Sequence, residues 1–316
     1  MSESARPRAI FLMGPTAAGK TGLAVNLVEQ FPLDIISVDS ALVYRHMSIG
    51  SAKPDSETLR RAPHRLIDLI DPIEAYSAAR FREDALAHMR DISAAGRVPL
   101  LVGGTMLYFR ALQQGLSKLP AADAQLRSEI ESEARDLGWP ALHEQLQDHD
   151  PVAAAKINPN DPQRIQRALE VFRLTGQPLS ELQNVARNPD FDYETLKLVV
   201  CPEPRGALHD RIAQRFQVMI GEGFLEEVKA LMSMPGLNAD LPSMRAVGYR
   251  QAWAHLSGEL DADEWIERAT AATRQLAKRQ LTWLRGDPDA VWYDPTEPGA
   301  VRALIKSVKS FLNLVV

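Results

Sequence analysis

Cysteine is almost absent from this 316-residue chain, with Cys201 the only one. A single thiol excludes an internal disulfide framework and any zinc site built on several cysteines. Long apolar runs are missing too. No segment reaches the roughly 18 consecutive apolar residues that a membrane helix needs. The first run, Ile10-Phe11-Leu12-Met13, ends in a glycine-rich turn and reads as a buried strand, not as a signal-peptide core. Positive charge is not in excess: 36 Lys and Arg against 41 Asp and Glu leave a formal charge of −5. Any contact with nucleic acid must therefore rest on a local basic patch, because the bulk field repels phosphate. Repeats and low-complexity tracts are lacking as well. What is present is 45% hydrophobic and 24% charged residues, the balance of a globular protein rather than a disordered or fibrous one. The length exceeds one minimal domain and predicts a large domain with an insertion or second lobe. A cytoplasmic enzyme is the expectation.

Short apolar runs alternate with helical patterns in the first third. Ala9–Met13, Asp34–Val38 and Val98–Val102 read as buried strands, and 21–30 and 77–95 read as helices. That alternation predicts a parallel sheet with helices on both faces. From about Leu116 the pattern is helical, over 121–138, 139–149 and 162–175. A strand returns at Leu196–Cys201, followed by a helix over 206–232, a short strand at 290–293 and a helix over 298–316. Asn188-Pro189-Asp190 and Asp287-Pro288-Asp289 are turn signals. The economical reading is a discontinuous α/β core, 1–115 and 195–316, interrupted by a helical insertion at 116–194.

Gly14-Pro15-Thr16-Ala17-Ala18-Gly19-Lys20-Thr21 fits G-x-x-x-x-G-K-T between a strand and a helix, the context the motif requires. The glycines let backbone amides curl around an anion. Lys20 supplies a point charge, and the Thr21 hydroxyl suits Mg²⁺. The loop predicts a bound polyphosphate or diphosphate without saying whether it is ATP. A phosphate-loop enzyme usually also has an apolar strand ending in Asp, yet 98–102 runs into Gly103-Gly104-Thr105. The strand that does end in Asp is Ile35-Ile36-Ser37-Val38-Asp39. A carboxylate there suits two roles, holding magnesium or taking a proton from an acceptor. A turn cap is the structural alternative, which Ser40 would favour.

Two basic segments stand out against the acidic background. Arg268 to Gly286 holds five cations, Arg268, Arg274, Lys278, Arg279 and Arg285, and no acid. With Trp283 among them it reads as an RNA footprint or as a solvated helix whose leucines face a core. Pro162-Gln163-Arg164-Ile165-Gln166-Arg167 opens a helix with two arginines, against the helix dipole. They either grip an anion or pair with nearby carboxylates.

GPTAAGKT at 14–21 stands with SVDSALVYRHMSIGSAKP at 37–54, LVGGTMLYFRAL at 101–112, NPNDPQRIQRALEV at 158–171, RAVGYRQ at 245–251 and KRQLTWLR at 278–285. In this combination, over nearly its whole length, the chain resembles the bacterial tRNA dimethylallyltransferase (tRNA isopentenyltransferase) family. The resemblance implies a P-loop kinase-like parallel α/β core and a helical insertion that contacts tRNA as a lid. It implies transfer of a dimethylallyl group from dimethylallyl diphosphate to N6 of adenine 37, beside the anticodon in the tRNA anticodon stem-loop. Diphosphate is released and no ATP is hydrolysed. The loop residues Gly14 to Thr21 would bind the diphosphate, with Mg²⁺ on Thr21, and Asp39 would be the general base. Lys20, Thr21 and Arg215, the last in His209-Asp210-Arg211-Ile212-Ala213-Gln214-Arg215-Phe216, would assist the leaving group.

The tRNA contacts implied are Asp39, Ser40, Ala41 and Leu42; Thr105 and Arg127; Gln163, Arg164, Ile165, Gln166 and Arg167; Arg245, Ala246, Val247, Gly248, Tyr249 and Arg250; and Lys278, Arg279, Gln280, Leu281, Thr282, Trp283, Leu284 and Arg285. The zinc finger that eukaryotic relatives often carry is beyond one cysteine. A monomer with no membrane association is expected. A small-molecule kinase using ATP shares the loop and Asp39 but leaves the basic segments unexplained. A non-catalytic RNA-binding module would yield no covalent product.

Overall fold

A computed structural model describes residues 6–117, 119–184 and 191–313. The chain divides into two compact units: Met1–Gln113 with Phe191–Val316, and Gln114–Asp190.

The first unit contains six strands: β1 (Arg8–Met13), β2 (Leu33–Val38), β3 (His64–Arg65), β4 (Val98–Gly103), β5 (Glu194–Val200) and β6 (Val291–Tyr293). Their order is β3-β2-β4-β1-β5-β6, and every pairing is parallel. Parallel neighbours need crossover connections, which helices supply. Numbered in chain order, the helices here are α1 (Lys20–Gln30), α2 (Ser56–Arg61), α3 (Ala78–Ala94), α4 (Met106–Gln114), α10 (Arg205–Gly221), α11 (Phe224–Met232), α12 (Tyr249–Leu256), α13 (Ala262–Leu284) and α14 (Ala300–Phe311).

Successive side chains of a strand point to opposite faces, so β1 feeds two cores. Ile10 and Leu12 pack with Ala24, Val25 and Leu27 of α1 and with Leu304 and Val308 of α14. Ala9, Phe11 and Met13 pack on the other face with residues of α3, α4 and α10 through α13, including Phe81, Tyr108, Ile212, Val228, Tyr249 and Trp265. The buried strands and two-faced helical cover match the α/β expectation.

The differences are local. The helix expected over 206–232 is two helices, because Gly223 adopts φ 94° and turns the chain between α10 and α11. The helix expected from Ala121 starts at Ala124, where the Asp123 carboxylate caps the Leu126 amide at 2.9 Å. β3 has two residues, too few to show a period. The Asn188-Pro189-Asp190 turn and the last three residues of the helix expected to reach Val316 lie outside the described residues.

The second unit holds α5 (Ala124–Leu137), α6 (Trp139–His149), α7 (Pro151–Ala154), α8 (Pro162–Thr175) and α9 (Leu179–Asn184). Ile130, Leu142, Leu146, Ile165 and Leu169 form its core. Glu170 of α8 is 0% exposed. It accepts hydrogen bonds from Arg127 at 2.7 and 3.1 Å and from Arg167 at 2.5 Å. Burial pushes this carboxyl up, but the two guanidiniums and the Asp123 amide prevail and hold it below the usual carboxylate range.

Candidate active site

β4 lies between β1 and β2, with Met13 opposite Gly103 and Gly103 opposite Val38. The three strands run the same way, so the chain leaves them along one edge at Gly14, Gly104 and Asp39. Ligands of open parallel sheets bind outside this carboxyl edge.

The first exit is the phosphate loop. Gly19 sits left-handed at φ 92° as the N-cap of α1 and offers no side-chain cap. The first-turn amides of α1 are thus left for an anion. Lys20 folds back over the loop, donating from Nζ to the carbonyls of Gly14 at 2.9 Å and Pro15 at 2.7 Å. Burial lowers its pKa to about 8, with Asp39 opposing the shift and Arg215 adding to it. Arg215, from α10, donates to the Thr16 hydroxyl at 2.6 Å. Burial lowers this guanidinium as well, again opposed by Asp39. The ammonium, the guanidinium and the carboxylate therefore lie within electrostatic reach of one another.

Asp39 is fixed at the second exit. Its Oδ1 accepts from the amides of Ala41 at 2.8 Å and Leu42 at 3.3 Å, so the carboxylate caps its own turn. Thr105, at the third exit, donates its amide to the Val38 carbonyl at 3.2 Å. Its hydroxyl accepts from the Ser40 amide at 3.2 Å. These bonds tie the ends of β2 and β4 together around Asp39.

A cavity of about 910 Å³ opens above this edge. It is lined by the loop from Thr16 to Thr21, by 39–42 with Thr105, by Arg215, by 245–249 and by one face of α13. That face presents Arg279, Gln280 and Trp283, and Arg110 stacks on the Trp283 ring 5.5 Å from its centroid. Lys278 and Arg285 point elsewhere, lining a groove of about 230 Å³ with His209, Arg274 and the largely buried Leu281. The 3.6-residue period of a helix thus divides KRQLTWLR between two surfaces.

Several side chains in the expected tRNA stretches face cores instead. Ile165, Tyr249, Leu281 and Leu284 are 0–8% exposed, because in a helix every third or fourth residue turns inward. The Tyr249 hydroxyl donates to Glu227 at 2.6 Å. Both arginines of 162–167 pair with carboxylates, Arg164 with Asp161 and Arg167 with Glu170, and Glu170 also holds Arg127. Gln166 donates to Glu131 at 2.9 Å. Arg164 keeps its side chain 69% exposed while pairing with Asp161 at 3.4 Å, and Gln163, Arg245, Arg250 and Thr282 are exposed as well.

Two functional connections have no sequence signal. Glu227 of α11 accepts from the amides of Ser48, Ile49 and Gly50 at 2.8, 2.7 and 3.1 Å. Gln280 reaches the phosphate loop itself. Both link residues more than 170 positions apart, beyond any local spacing rule.

The cavity's hydroxyls and carboxylate suit a hard cation. Thr21 and Asp39 line it. So does Ser37, whose hydroxyl is buried without a hydrogen-bond partner. A separate acidic trio, Glu203, Asp294 and Glu297, lies outside that lining. One Asp294 oxygen there already accepts from Thr296 and the other from the Glu203 amide. Among the described residues no helix is long and apolar enough to cross a membrane.

Comparison with known proteins agrees with this architecture. The IPP transferase family profile matches residues 42–287, and the isopentenyl transferase profile matches residues 7–73. The full-length tRNA isopentenylpyrophosphate transferase of Bacillus halodurans is 35% identical, with TM-score 0.70 over 98% of this chain and 96% of that one. The tRNA delta(2)-isopentenylpyrophosphate transferase of Staphylococcus epidermidis is 30% identical, with TM-score 0.68 over 98% and 99%. A eukaryotic dimethylallyltransferase acting on tRNA is 26% identical, with TM-score 0.78 over 98% of this chain and 81% of that one. The profile match and the full-length likeness establish that this chain belongs to the IPP transferase family.

Proposed function

We propose that the chain is a tRNA dimethylallyltransferase, moving the dimethylallyl group of dimethylallyl diphosphate to N6 of adenine 37 beside the anticodon. One observation carries this reading: a single cavity collects a phosphate loop, a fixed carboxylate and the cations Arg215, Arg245 and Arg279 beside Trp283.

The phosphate loop amides, Lys20 and Arg215 hold the diphosphate of the donor. The exocyclic N6 amine is a weak nucleophile, because its lone pair is delocalised into the ring. As N6 bonds to C1 of the prenyl group, the C1–O bond breaks and its electron pair leaves with the diphosphate. Asp39 accepts the proton that N6 loses, a contribution of about 10²–10⁴-fold for a positioned base. The Ala41 and Leu42 amides hold that carboxylate in place through one oxygen. Charge builds on the departing diphosphate, where Lys20 and Arg215 already stand. Mg²⁺, held by Thr21 with help from Ser37, would supply further neutralisation of that charge.

On the acceptor side the adenine must leave its stack, which costs least in a single-stranded loop. The exposed cations Arg245, Arg279 and Lys278 grip RNA phosphates, and Trp283 offers a stacking face. The helical unit, Gln114–Asp190, adds Arg164 as a further RNA contact. The enzyme acts as a monomer in the cytoplasm.

Asp39→Ala tests the assignment. Turnover falls by two or more orders of magnitude while inorganic diphosphate binds nearly as before. Wild-type turnover in this variant removes Asp39 as the base.

A further inference from the structure

Gln280 stands in the basic segment whose resemblance assigns it to tRNA, yet its carboxamide is turned inward. Its Oε1 accepts from the Thr16 amide of the phosphate loop at 2.9 Å, and its Nε2 donates to the Gly104 carbonyl at 2.9 Å. Each bond continues into a different half of the site. On the donor side, the Thr16 hydroxyl accepts from Arg215. On the acceptor side, Gly104 precedes Thr105, which holds the Val38 carbonyl and the Ser40 amide on either side of Asp39. The packing is close: a Cβ on Gly104 would run into the Gln280 carboxamide.

We infer that Gln280 is a positioning residue that sets the donor phosphate loop against the Asp39 edge, and that it is not an RNA contact. The inference rests on the prenyl-transfer reading for its consequence and on geometry alone for its cause. A carboxamide whose oxygen bonds one loop and whose nitrogen bonds the other fixes the spacing of those loops. A transfer step needs the nucleophile, its base and the leaving group within narrow limits of distance and angle. Loss of the bridge therefore slows transfer and loosens the donor loop, while the exposed cations of α13 keep their hold on RNA.

Gln280→Met keeps the length and volume of the side chain and removes both bonds. With inorganic diphosphate as probe in calorimetry, its Kd rises about fivefold to tenfold, the scale of one or two hydrogen bonds. kcat with saturating tRNA and donor falls at least tenfold, and the Kd for tRNA stays within twofold. Gly104→Ala, which presses on the same carboxamide from the other side, repeats the pattern. Weaker tRNA binding with unchanged diphosphate affinity would overturn the inference and return Gln280 to the RNA surface. Unchanged values throughout would overturn it too, as would equal losses in both affinities alongside a lowered Tm, which mark a purely structural role. Because diphosphate binding is read without tRNA, failure of the prenyl-transfer reading leaves this arm of the test intact.

Discussion

The ammonium of Lys20 gives the donor site a measurable pH dependence. Burial brings its pKa to about 8, so the unliganded site is charged in about nine-tenths of molecules at pH 7, half at pH 8 and one-tenth at pH 9. Anionic diphosphate favours the charged form and keeps the bound lysine protonated through this range. The sign follows: the lysine contribution to affinity is fully present below pH 8 and is lost as pH rises through it. Between pH 7 and pH 9 the loss is about tenfold, the ratio of the two charged fractions. Diphosphate also ionises, so the comparison is with Lys20→Met, whose Kd carries only that ligand effect. Calorimetric titration of both proteins at fixed Mg²⁺ gives the ratio of Kd values, variant over wild type. That ratio shrinks about tenfold from pH 7 to pH 9. A flat ratio would refute the reasoning, because it would mean that burial does not depress the ammonium.

Other consequences follow from the surfaces. Lys278→Ala weakens tRNA binding and makes log Kd less salt-dependent by about 0.7 in slope, the release expected for one single-strand phosphate contact; an unchanged slope removes Lys278 from the footprint. Glu170→Gln leaves Arg127 and Arg167 without their carboxylate. Both arginines are partly exposed, so urea unfolding of the variant shows a loss of about 2–3 kcal/mol, below the full cost of breaking a buried ion pair. A stability change under about 0.5 kcal/mol, the ordinary scatter of surface substitutions, would contradict the structural role given to Glu170.

The parts of the site that lie in continuous sequence are legible in the sequence alone. Gly14 to Thr21 forms its loop from local glycine and helix-start chemistry, and Asp39 ends a strand whose buried run announces it. What sequence spacing left open was decided by helix phase and by distant partners. Residues 278–285 read as one basic patch, but the turn of α13 sends Arg279 and Gln280 to the cavity, Lys278 and Arg285 to another groove, and Leu281 and Leu284 to the core. In 163–167 both arginines pair with carboxylates three residues away, Arg164 with Asp161 and Arg167 with Glu170, while Arg127 reaches Glu170 only once α5 packs on α8. The Gln280–Thr16 and Glu227–Ser48 bonds close loops of 264 and 179 residues, a span on which periodicity is silent.

The central claim is that the phosphate loop delivers a prenyl diphosphate to an RNA adenine. Its most direct test is mass spectrometry of a tRNA carrying adenine after its anticodon, incubated with the protein, Mg²⁺ and dimethylallyl diphosphate, with ATP replacing the donor in a parallel reaction. The account predicts one prenyl mass on that adenine with the diphosphate donor and none with ATP. A tRNA that binds yet gains no mass from dimethylallyl diphosphate would contradict it.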